Sequence, residues 1–143
     1  MNIEVTQNPD KDELKTISRG LQTHNAKTIG GVAVEDELKF AVFARDAAGR
    51  VMGGIRAVAS WNWMNIEVIW VDEQARGAGV GQQLLRKAEA YAIKNDVFSS
   101  CLETTSFQAR EFYEKQGYEV FGELDDFPMG HTMFYMKKAL SKT

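Results

Sequence analysis

Between Asp72 and Leu85 the chain reads DEQARGAGVGQQLL, with Arg76 ahead of glycines at 77, 79 and 81 and a helix-spaced apolar run behind them. A glycine turn that opens a helix leaves backbone N–H groups pointing outward at the positive end of the helix dipole, and such a row binds phosphate. Side chains at Gly77, Gly79 or Gly81 would hold a diphosphate away from these amides, and some of the positions need positive φ. Arg76 adds a charge-assisted contact. The plainer alternative is a turn whose glycines let a helix cross close to a sheet. Two nucleotide motifs are excluded by the letters. No Gly-Lys pair exists for a P-loop. A dinucleotide fingerprint, G-x-G-x-x-G/A, lands on Gln82 from Gly77 and on Leu84 from Gly79. Glu103 stands where that fold has its ribose-binding acid, but without the fingerprint the position signals nothing.

Other side chains could bind or activate an organic molecule. In the β-prone run MNIEVIWV, alternation puts Asn65, Glu67, Ile69 and Val71 on one face and Ile66, Val68 and Trp70 on the other. Glu67 is the only acid there, and a strand carboxylate is either functional or a salt-bridged surface group. Trp61 and Trp63 sit at the junction of two predicted strands, where they offer apolar area and a cation-binding face, or else core or dimer surface. His24 and His131 are isolated, with no metal-ligand spacing to cysteines or acids, so no metal is expected. Cys101 is the only cysteine and forms no internal disulfide; its apolar neighbours predict a structural position on a strand. Asp125 and Asp126, in the turn-rich DDFPMG, are read as solvated.

The elements that must position these groups follow from periodicity. Met1 to Val5 alternates like a short strand, and Leu14, Ile17 and Leu21 have helical spacing around a weak Gly20. HNAKTIGGVAVEDE reads as irregular. Two β-prone runs from Leu38 meet at Asp46-Ala47-Ala48-Gly49-Arg50, a hairpin signal. A third run from Met64 leads into the glycines. Val80, Leu84, Leu85, Ala88, Tyr91 and Ala92 then form one helical face ending near Asn95. VFSSCLETT predicts a strand, and Phe107 to Gln116 a helix closed by Gly117. Tyr118 to Leu124 and His131 to Ala139 predict the last two strands. The order β-α-β-β-β-α-β-α-β-β, without repeat or linker, predicts one mixed-sheet α/β domain over residues 1–143.

Composition limits the partners. With 20 acidic against 17 basic side chains, a net charge of −3 offers no broad attraction to nucleic acid or an anionic membrane. Neither a basic-then-apolar leader nor a run of ~20 apolar residues is present, so a cytoplasmic location without membrane attachment is expected. At 44% apolar and 10% aromatic, the chain can build a packed core.

R-x-x-G-x-G directly after a strand fits Arg76, Gly79 and Gly81, and FYEKQGY from Phe112 to Tyr118 follows one strand and one helix later. This pair resembles the GNAT superfamily of N-acetyltransferases. RDAAGRVMGG, WVDEQARGAGVGQQLLRKAE and TTSFQAREFYEKQGYEVFGELDDFPMGHTMFYMKK are similar to a bacterial branch of mostly unassigned substrate. The resemblance covers most of the chain. It implies a mainly antiparallel mixed sheet flanked by helices, acetyl-CoA as cosubstrate, and direct attack by a primary amine in a ternary complex. It also implies a gap where the strand before the glycine turn parts from its neighbour, with Ile69, Trp70 and Val71 backbone taking the pantetheine arm. Arg76, Gly77, Ala78, Gly79, Val80 and Gly81 would take the diphosphate, and Phe112 belongs to the same cofactor wall. The tyrosine of FYEKQGY, the usual proton donor to the leaving thiolate, falls on Tyr113; a core aromatic is the alternative. Glu67 falls on a position used as base or amine anchor, with Glu103 the second candidate and a substrate contact.

Many relatives carry Asn three residues before Ala109, where this chain has Ser106, so Gln108 is the candidate to replace that pantetheine contact. Lys115 is placed toward the nucleotide end. The acceptor is expected to be a small-molecule amine, with a peptide amine as the alternative; a homodimer is compatible with the sequence. A coenzyme A-binding sensor with little turnover is the competing reading.

Overall fold

The computed structural model describes residues 1–29 and 37–141. The chain divides into two units, Met1–Asp36 and Glu37–Thr143. In the first, Met1 to Val5 is not the expected strand: the residues are exposed and irregular, and so short an alternation has no stability without a partner. Helix α1, Lys11–Ile29, starts at Asp10, whose carboxylate accepts the Asp12 N–H at 3.1 Å. It continues through His24 and Lys27, a stretch expected to be irregular, since Ala26 and Lys27 favour a helix and no Gly or Pro interrupts it before Ile29. Residues 30–36 of that stretch lie outside the described residues.

The second unit is built on a six-stranded sheet ordered β1-β2-β3-β4-β6-β5. The strands are β1 (Leu38–Arg45), β2 (Val51–Ser60), β3 (Trp63–Val71), β4 (Ser99–Thr105), β5 (Glu119–Asp125) and β6 (Thr132–Ala139). Every neighbouring pair is antiparallel except β3 with β4. The β1–β2 turn is closed by the Asp46 carboxylate, which accepts the N–H of Ala48 and of Arg50, and Gly49 has φ 85°. The β2–β3 turn puts Trp61 and Asn62 at φ 48° and 71°, the left-handed pair that suits a two-residue hairpin.

Helix α2, Val80–Lys94, lays Leu84, Leu85, Ala88 and Ala92 on β1, β2 and β3. Its close approach depends on Gly53, where a Cβ would meet the Trp70 carbonyl oxygen at 2.9 Å and Leu84 Cδ1 at 3.4 Å. Helix α3, Arg110–Lys115, is shorter than the span from Phe107 predicts. The Gln108 carboxamide accepts the Thr105 N–H at 3.0 Å and holds the residues before α3 in a turn.

One polar cluster is buried. Glu89 of α2 is 8% exposed and receives Lys138 Nζ of β6 at 3.0 and 3.1 Å. Its Oε2 also accepts the Tyr118 hydroxyl at 3.0 Å. With that proton committed, the Ser100 hydroxyl at 2.8 Å donates to the Tyr118 oxygen. Burial above all, and the Glu89 carboxylate with it, push the Tyr118 phenol well up, which keeps it a donor.

Candidate functional site

β3 and β4 pair only from Trp63/Ser99 to Ile66/Leu102, after which no register joins them. Two clefts open along this parting. Where the parting begins, β3 carries an irregularity: Arg56 opposes Val68 and Ala57 opposes Ile66, leaving Glu67 without a partner. Such a bulge adds a residue and flips the alternation beyond it. Met64 and Ile66 are buried ahead of Glu67, whereas Ile69 and Val71 face the core behind it. The expected face of Asn65, Glu67, Ile69 and Val71 is therefore divided. Glu67 stays at the cleft and pairs with Arg56 at 3.4 Å, Nε to Oε1.

The larger cleft, about 560 Å³, is lined by Ile69, Trp70 and Val71, by the turn from Ala75 to Gln82 apart from the expected Ala78, and by Ala109, Phe112 and Gln116. A short 3-10 turn, Glu73–Ala75, capped by the Asp72 carboxylate, reverses the chain after β3. Gly77 and Gly79 have φ 85° and 76°, and Gly79 is the N-cap residue of α2. Left-handed backbone at these two positions turns successive N–H groups outward. Among the described residues no acceptor is found for the N–H groups of residues 77 to 82; those of the first helical turn have none by construction. Gly81 serves packing: a Cβ there would lie 3.3 Å from Phe112 Cζ and 3.8 Å from Val71 Cγ2. Arg76 donates its Nε to the Val71 carbonyl at 3.1 Å, which holds the guanidinium beside the turn. Unpaired donors, a helix N-terminus and one cation fit a diphosphate, and the apolar strand wall fits the pantetheine arm of coenzyme A. Ile69 to Val71, Arg76 to Gly81 and Phe112 would hold it.

The smaller cleft, about 270 Å³, is lined by Ile66, Glu67, Val68, Ile69, Glu103, Thr104, Gln108, Ala109 and Tyr113. It shares Ile69 and Ala109 with the larger one. Tyr113 is 5% exposed, its ring edge-on to Phe112 and Tyr118 at 5.2 and 6.0 Å. Its hydroxyl has no hydrogen-bond partner among the described residues. Burial pushes the phenol up to about 12, so it keeps its proton throughout the neutral range.

The parting thus gathers Glu67, Glu103, Tyr113 and Gln108 in one place, next to the glycine turn. It does not gather Trp61 and Trp63, which stand at the other end of β3, half exposed, and line neither cleft. Ser106 faces away from both and tethers the β5–β6 loop: its Oγ accepts the Thr132 N–H at 3.2 Å and lies 3.3 Å from His131 Nδ1. Lys115 is exposed, and Gln116 instead lines the larger cleft. The sequence reading did not single out Ala75, Gln82, Gln116, Thr104 or the Arg56 partner of Glu67. Arg56 had no signal, because pairing across a bulge depends on register.

Comparison with known proteins identifies the family and the fold. A family model described as "Acetyltransferase (GNAT) domain" matches residues 27–120. The blasticidin-S acetyltransferase of Streptomyces morookaense is 36% identical over 102 residues, covering 71% of this chain and 75% of that protein. An acetyltransferase structure from Bacillus cereus superposes with a TM-score of 0.85 at 28% identity, covering 96% of this chain and 98% of the other. A structure assigned as a streptothricin acetyltransferase of Bacillus anthracis, in complex with acetyl coenzyme A, superposes with a TM-score of 0.64 at 26% identity. It covers 72% of this chain and 63% of that one.

Proposed function

The chain belongs to the GNAT acetyltransferase family and is an acetyl-CoA-dependent acetyltransferase; from that premise we propose that it acetylates the primary amine of a small molecule by direct attack in a ternary complex. The carrying observation is that the smaller cleft holds a carboxylate and a protonated phenol, Glu67 and Tyr113, next to the coenzyme-sized cleft. Acetyl-CoA supplies an activated thioester carbonyl. Glu67 Oε1 or Oε2, directly or through water, takes a proton from the amine, which attacks only when neutral. The amine nitrogen bonds to the acetyl carbon, the carbon–sulfur bond breaks, and Tyr113 Oη gives its proton to the departing sulfur. The backbone N–H near Val71 is the candidate donor to the carbonyl oxygen.

The direct test is thiol release over a diverse amine panel with the product identified by mass. An acetylated small amine is expected; tight coenzyme A binding with no turnover on any amine would favour a sensor instead. Gly79→Glu should weaken acetyl-CoA binding about tenfold or more by calorimetry, since it puts a carboxylate and a strained φ into a phosphate-sized cradle. Circular dichroism should remain that of the folded domain, because nothing lies within 4 Å of a Cβ built there; unchanged affinity would reduce the glycines to a turn. Glu67→Gln should lower kcat/KM at neutral pH by ~10²-fold or more, the size of a lost general base, and turnover like that of the native chain would take the base role from Glu67.

A further inference from the structure

The smaller cleft contains a second carboxylate that the transfer itself does not use. Glu103 lies on β4 just beyond Leu102, the last residue paired with β3, and it lines the same 270 Å³ as Glu67 and Tyr113. The two acids are not equivalent. Glu67 is countered by Arg56 at 3.4 Å, whereas among the described residues no cation forms an ion pair with Glu103. Glu103 is exposed, and its carboxylate is felt two residues back on the strand: the Cys101 thiol is pushed up by burial first and by Glu103 second. Across the ladder, Glu103 faces Tyr135, an uncharged partner. The third wall is Tyr113, more than nine-tenths buried, with a hydroxyl that no described residue satisfies. A polar group at a cleft wall with no protein partner is free to bond a ligand or water. The volume lies just under the range of about 300–1,000 Å³ usual for organic ligands, which suits the amine end of a small molecule rather than a folded chain.

Resting on the reading that this cleft receives the acceptor, we propose that the acceptor carries two cationic groups, and that Glu103 holds the one that is not acetylated. One amine loses its proton toward Glu67 and attacks; the other stays charged and pairs with Glu103. The second pairing fixes the depth and direction in which the acceptor enters. Glu103 is in this role a specificity-determining residue, and a single-amine acceptor of equal length lacks its contact.

The test uses the full chain with acetyl-CoA and a series of straight-chain diamines of three to six carbons, each beside the monoamine of the same length. At least one diamine is expected to exceed its monoamine about tenfold or more in kcat/KM, the size of a charge-assisted contact. Glu103→Gln should bring that ratio close to one, chiefly through KM, and Glu103→Lys should invert it. Glu67→Gln, by contrast, should slow both amines and leave the ratio standing. Equal use of diamines and monoamines by the native chain, or a ratio that survives both Glu103 variants, would overturn the proposal while leaving acetyl transfer intact. Absence of turnover on every amine would instead sink the reading on which it rests. A shift in melting temperature with acetyl-CoA confirms that each variant is folded.

Discussion

Tyr113→Phe should lower kcat by ~10²- to 10⁴-fold, the range for loss of a general acid, with acetyl-CoA affinity and melting temperature close to those of the native chain. The substitution is unusually clean here. Removing a buried hydroxyl normally strands its partner, but the Tyr113 hydroxyl has none among the described residues, and the ring contacts with Phe112 and Tyr118 survive. Stability therefore separates a catalytic from a packing role. The pH dependence adds a second reading. Burial holds the phenol up to about 12, so the acid form persists across the neutral and mildly alkaline range. An alkaline fall of rate at lower pH belongs to another group and should remain in Tyr113→Phe. The same shift predicts that Tyr113 opposes stability only as pH rises from about 10 toward 12, where the unfolded phenol ionises and the folded one does not. If Tyr113→Phe turned over like the native enzyme, the proton would come from water or another residue.

The second large effect concerns folding. Glu89→Ala should destabilise the domain by about 3 kcal/mol, or roughly 10 °C in melting temperature, measured by chemical and thermal unfolding. Alanine leaves Lys138 and the Tyr118 hydroxyl without their acceptor and opens a space between α2 and β6. The value sits at the low end for a broken buried pair because the Lys138 side chain keeps 26% of its exposure, where water can replace part of the lost contact. Glu89→Gln keeps one accepting oxygen but loses the charge that Lys138 faces, so it should cost less than alanine without being neutral. A Glu89→Leu, Lys138→Met pair should recover much of the loss, since an apolar replacement for a buried ion pair is often neutral. A single-site loss below about 1 kcal/mol would mean that the cluster is solvated in solution.

Much of this was legible because it is local. A strand, three alternating glycines and a helical apolar face follow one another between Trp63 and Lys94 and specify the turn, and Asp46 with Gly49 specifies the first hairpin. Family membership followed from two motifs in order. What was misread is set by pairing between distant segments. Alternation alone put Glu67 with Ile69 and Val71, and only the ladder with Arg56 and Ala57 reveals the extra residue. Trp61 and Trp63 looked like a wall of the site because they precede Glu67 in sequence, yet β3 carries them to the opposite end of the parting. Glu89 gave no signal at all: a glutamate on a helix is normally solvated, and its burial depends on Lys138 and Tyr118 arriving from elsewhere in the chain.

The parting of β3 from β4 also makes the sheet a hinge-like seam. Two antiparallel leaves, β1-β2-β3 and β4-β6-β5, are joined by the short parallel ladder from Trp63/Ser99 to Ile66/Leu102. The Glu89 cluster straps α2, seated on the first leaf, to Lys138 of the second. A ligand bound across the gap would touch both leaves, and at about 100 times its dissociation constant it would favour the folded chain over the unfolded one by ~2.7 kcal/mol. The durability of this enzyme would then follow the acetyl-CoA concentration, with a melting temperature that rises as cosubstrate is added.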